Sequence, residues 1–187
     1  MALNLTKGSK LNFKKEDPGL RRVVIGLGWD ANEQGIQFDL DASAFMLGQN
    51  NKTPSESFVV FYNNPKSPDN ALMHMGDNRT GDGEGDDESI KIDLLLVDPS
   101  IVQIVFVVTI DQAVERNQNF GMVSNSFIRI YNEETSNVLS TYMLQESFPT
   151  ADSVIMGRMF RNGDSWEFEA MGSGFDGGLQ SLAEIYC

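Results

Sequence analysis

The sequence predicts a mainly β fold: a two-sheet antiparallel β-sandwich with one or two short helices. Apolar residues recur with a period of two in many short segments, the pattern of strands with one buried face. Turn-forming clusters separate the segments, among them Asn63-Asn64-Pro65, Ser67-Pro68-Asp69-Asn70 and Arg161-Asn162-Gly163-Asp164. The composition agrees: 17 Gly and 12 Phe, with 41% hydrophobic residues, suit strands and tight turns better than a helical bundle.

Val23 to Trp29 reads as a buried strand, and Phe38 to Leu47 alternates at its start. The spacing predicts further strands over 57–62, 89–95, 103–110, 126–131, 138–144, 154–160 and 165–171. Arg161 to Asp164 predicts a hairpin turn between the last two. Asp111 to Arg116 predicts a short helix opened by an acidic cap, and Gly178 to Tyr186 a C-terminal helix. No repeat or long linker divides the chain, so residues 1–187 are expected to form one domain.

A net charge of −13 repels phosphate backbones and attracts cations, so nucleic acid is not an expected partner. Cys187 is the single cysteine, which excludes an internal disulfide and fits a reducing compartment. The N-terminal residues lack an apolar signal core. The longest apolar run, Ile101 to Ile110, falls far short of the ~20 residues a membrane span requires. The expectation is a cytoplasmic protein with no direct membrane insertion.

The acid is clustered. Gly76 to Glu88 holds six carboxylates (Asp77, Asp82, Glu84, Asp86, Asp87 and Glu88) and four glycines. Two carboxylates ~5 Å apart repel by roughly 3 kcal/mol at an effective dielectric of 20, so a folded loop of this kind calls for a counter-charge. Glycines let such a backbone curl, and Ca²⁺ takes six to eight hard oxygen donors. A solvated acidic loop is the competing reading. Alternation in Phe38-Asp39-Leu40-Asp41-Ala42-Ser43 adds a second feature. It places Asp39 and Asp41 on the face opposite Phe38 and Leu40. Asp30 closes the preceding strand.

Other motifs carry less. Asp77 and Glu88 stand at positions one and twelve of an EF-hand register, but Arg79 and Asp82 occupy positions three and six, which excludes that loop. Gly26-Leu27-Gly28-Trp29-Asp30-Ala31 fits Gly-x-Gly-x-x-Ala, yet a turn follows instead of a helix. Gly26 and Gly28 therefore read as close-packing or bulge positions. His74 is the single histidine and reads as structural. Paired carboxylates with Trp29 and Trp166 would suit a glycosidase, but the acids crowd one loop instead of separating into acid and base.

Read together, these blocks resemble the TerD family of tellurium-resistance and chemical-stress proteins. The likeness runs through Leu5-Thr6-Lys7-Gly8, Gly26-Leu27-Gly28-Trp29-Asp30, Phe38-Asp39-Leu40-Asp41-Ala42-Ser43 and Phe61-Tyr62-Asn63-Asn64. It continues in Ser67-Pro68-Asp69, Gly76-Asp77-Asn78 through Glu88, Phe106 to Ile110, Gln118-Asn119-Phe120-Gly121 and Phe127-Ile128-Arg129. The resemblance implies a β-sandwich with Ca²⁺ sites at one end, in a bacterial-type cytoplasmic protein linked to tellurite, phage and toxin resistance. It implies partners in the same resistance system, a membrane-embedded one among them. By that likeness Asp39, Asp41, Asp77, Asp86, Asp87 and Glu88 are the expected metal ligands. Asp30 and Asn64 are further candidates, with Asp82 and Glu84 ranked behind. Arg79 departs from the apolar residue expected there. The expected function is a non-enzymatic, calcium-dependent interaction module. A metal-assisted hydrolase and an acidic oligomerising scaffold are the alternatives.

Overall fold

The computed structural model describes residues 2–30, 38–76, 85–143 and 148–187, with the backbone alone at Asp30. Its strands are β1 (Leu3–Leu5), β2 (Lys10–Asn12), β3 (Arg22–Asp30), β4 (Leu40–Leu47), β5 (Val59–Val60) and β6 (Leu72–His74). They continue with β7 (Glu88–Asp93), β8 (Gln103–Ile110), β9 (Ser124–Asn132), β10 (Val138–Met143), β11 (Ser153–Asn162) and β12 (Ser165–Phe175). The helices are α1 (Phe13–Glu16), α2 (Ala113–Arg116) and α3 (Gly178–Tyr186). One sheet has the order β1-β10-β9-β3-β7-β6 and the other β2-β12-β11-β8-β4-β5. The described pairs are antiparallel except β1 with β10, which runs parallel.

The core lies between the sheets. Val23, Ile25 and Leu27 of β3 meet Leu40, Ala42, Ala44 and Met46 of β4, with Ile104, Phe106 and Val108 of β8. Each fully buried aliphatic side chain contributes about 1.5–3 kcal/mol. A second cluster covers the outer face of the β4 sheet. There α3 lays Leu182 over Phe45, Leu47, Val105, Val107 and Ile155. Strands β4 and β8 are thus buried on both faces, which is why 103–110 reads as an almost unbroken apolar run.

Asp152 fixes α3. Its two oxygens each accept a hydrogen bond at 2.9 Å, from the amides of Gly177 and Gly178 at the helix start. Both glycines have positive φ, 100° and 62°, which favours glycine there. The hairpin forms as expected: Asn162 pairs with Ser165, and Gly163 at φ 61° makes the turn. Two expectations need correction. Residues 56–58 form a 3-10 turn, and only Val59–Val60 are strand. Helix α2 has no side-chain cap, because Asp111 instead accepts from Gln112 and Arg116.

Candidate metal centre

Strand β4 carries the first two acidic candidates into the protein. Asp39 and Asp41 are 6% and 8% exposed, not the solvated surface groups that acidic residues commonly are. Phe38 and Leu40 belong to the inter-sheet core, so alternation turns Asp39 and Asp41 to the other face. Thr109 lies directly across from Asp41 and is buried, as is Ser43 further along. The Asp39 carbonyl accepts from the Asp111 amide at 2.8 Å, which holds the strand entry against the end of β8.

The three acids that end the loop take different directions. Asp86 sits on the outer face of the β3 sheet, and its Oδ1 pairs with the Arg129 guanidinium at 3.0 Å. Burial, and then the Asp86 charge, hold the neighbouring Tyr131 hydroxyl above the usual phenol range. Asp87 Oδ2 accepts from the Trp29 amide at 3.0 Å. Glu88 is 2% exposed, and its Oε2 accepts from the Ala42 amide at 2.6 Å, directly after Asp41. Asp87 and Glu88 thus tie the loop to β3 and to β4.

Glycine makes this fit possible. A Cβ on Gly26 would lie 2.1 Å from the Asp86 carboxylate, and one on Gly28 2.3 Å from the Phe127 ring. Gly28 also borders a register shift against β9, so both glycines serve the close approach and bulge expected of them. Gly26→Ala should cost about 1–3 kcal/mol by overpacking and displace Asp86 from Arg129. Urea unfolding checks the cost. Arg129→Ala made in both backgrounds should show the two effects to be non-additive.

Asn64 closes a local turn. Its amide donates to the carbonyls of Ser57 and Val59 at 3.1 and 2.7 Å. Asp30 ends β3 opposite Ser124. Asp77, Asp82 and Glu84 lie outside the described residues. Among the described residues, no three His, Cys, Asp or Glu side chains gather around one point. The donors nonetheless suit a hard cation: buried carboxylates with hydroxyls beside them, the thiol of Cys187 exposed at the chain end, and the imidazole turned to Glu88. The glycosidase reading loses its platforms, because Trp29 and Trp166 are 4% and 6% exposed and Arg161 covers the Trp166 ring.

The TerD domain model matches residues 1–186. The chain belongs to the TerD family. General stress protein 16U of Bacillus subtilis (strain 168) is 46% identical over 188 residues, covering 100% of this chain and 97% of that protein. Tellurium resistance protein TerD of Serratia marcescens is 44% identical over 187 residues, covering 100% and 97%. A solved homologue of telluride resistance protein (TerD) from Streptomyces coelicolor A3(2) superposes with a TM-score of 0.70 at 26% identity, covering 88% of this chain and 96% of that one. Relatives of this TerD-family chain thus carry tellurium-resistance and stress-response names. Among the described residues, no helix is long and apolar enough to cross a membrane.

Proposed function

We propose that this TerD-family protein is a non-enzymatic calcium-binding module of a cytoplasmic tellurite and chemical-stress resistance system. The observation that carries the reading is the burial of Asp39 and Asp41 two residues apart on one strand face. Along a strand that spacing is about 6.6 Å, and two buried carboxylates so placed repel by roughly 2–3 kcal/mol. One divalent cation bound by oxygen offsets both charges at once. Asp39 and Asp41 would hold Ca²⁺, with Asp77, Asp82 and Glu84 as the further carboxylates, and Asp87 and Glu88 would tie the acidic segment to β3 and β4. Asp86 is the weakest of the expected ligands because Arg129 already neutralises it.

The ion would supply charge neutralisation and a fixed shape to the acidic end of the sandwich. That shape is the surface on which other proteins of the resistance system, including a membrane-embedded one, would dock. The single histidine favours binding over catalysis. His74 is 5% exposed and faces the buried Glu88 carboxylate, closed off from solvent.

Calorimetric melting of chelator-stripped protein tests the reading. Free calcium at one hundred times the dissociation constant adds ~2.7 kcal/mol, which for a chain of this size raises Tm by roughly 5–10 °C. Identical melting with calcium and with chelator would refute it.

A further inference from the structure

His74 lies at the end of β6, opposite Ile90 of β7, with its side chain 1% exposed. The Gly76 amide donates to His74 Nδ1 at 3.3 Å, so the ring proton belongs on Nε2. Nε2 faces Glu88 Oε2 at 3.4 Å and makes no hydrogen bond among the described residues. The same Glu88 oxygen accepts from the Ala42 amide at 2.6 Å. One imidazole therefore touches both stems of the acidic segment, Gly76 before Asp77 and Glu88 at its end. Through Glu88 it reaches the strand that carries Asp39 and Asp41.

We infer that His74 is a positioning residue of the calcium centre, a clasp that holds the two loop stems in register with β4. The inference rests on the calcium reading above. Rings of this kind set the orientation of carboxylates near a metal, and losing one lowers metal affinity by about 10–100-fold. A buried donor with one carboxylate in front of it and no other partner has this orienting role open to it. Removing the ring would take the imidazole from beside the buried Glu88 carboxylate.

Calcium titration by calorimetry tests the clasp on three proteins. His74→Phe fills the space without a donor, whereas His74→Gln restores an N–H near the Nε2 position. Calcium affinity should fall at least about tenfold in His74→Phe and recover to within about threefold in His74→Gln. A purely structural histidine would lower the melting temperature of both calcium-free variants and leave their affinity unchanged, which would overturn the inference. Wild-type protein that takes up no calcium overturns the calcium reading and the clasp together. Wild-type binding matched by His74→Phe overturns the clasp alone. A measurement on the unmodified chain stands beside these should His74→Phe not fold. With one histidine in the sequence, its ring ¹⁵N signals are unambiguous. They should report the proton on Nε2 and shift on calcium addition; a proton on Nδ1, or signals indifferent to calcium, would contradict the assignment.

Discussion

Replacing Asp39 and Asp41 together by asparagine should abolish the calcium-dependent rise in melting temperature while leaving the calcium-free protein folded. The exchange keeps side-chain volume and removes two buried negative charges from one strand face. Without calcium the variant should remain folded, because the amides keep the volume and the hydrogen-bonding capacity of the carboxylates while the like-charge repulsion is gone. With calcium the wild type should gain roughly 5–10 °C and the variant nothing, as read by scanning calorimetry with calcium and with chelator. Retention of the full rise in the variant would move the ion away from β4.

Phe168→Ala should produce the largest loss of global stability, about 3–5 kcal/mol, and lower Tm by roughly 6–20 °C. Phe168 is fully buried on β12, 6.4 Å from the Phe106 ring between centroids. Its ring also occupies the space above Gly157, where an added Cβ would approach it to 2.3 Å and the Glu169 carbonyl oxygen to 2.7 Å. Gly157 sits at a register shift of β11, so the sheet opens there to seat the ring. Gly157→Ala should therefore be strongly destabilising alone and less so beside Phe168→Ala, a coupling that a double-mutant cycle measures. Strands β11 and β8 separate β12 from β4. The calcium-induced increment of Phe168→Ala should match the wild type, which separates core damage from damage to the ion site.

The strands with strong signatures were legible in the sequence. Residues 103–110 form β8 to the residue because a strand buried on both faces leaves a continuous apolar run. Asn162-Gly163-Asp164 marked the final hairpin, and 178–186 the last helix. β1, β2 and α1 escaped. They are three or four residues long, too short to show a period, and they exist because β10 and β12 offer them partners.

At the site, alternation gave Asp39 and Asp41 a common face, and burial adds that this face is removed from water. Clustering along the chain was a poorer guide for Asp86, Asp87 and Glu88. Successive residues of an extended segment point to opposite sides, and their partners come from remote positions: Arg129, the Trp29 amide and the Ala42 amide. The meeting of His74 with Glu88 across adjacent strands left no trace in the sequence, for it depends on the β6–β7 register. The hydrogen bonds through which the Asn64 Nδ2 closes its turn left no separate mark in the sequence.

Crystals grown with calcium provide the most direct measurement. Anomalous density should lie about 2.3–2.6 Å from carboxylate oxygens of Asp39 and Asp41, the range for calcium and oxygen. Water alone around those oxygens, at saturating calcium, would contradict the account.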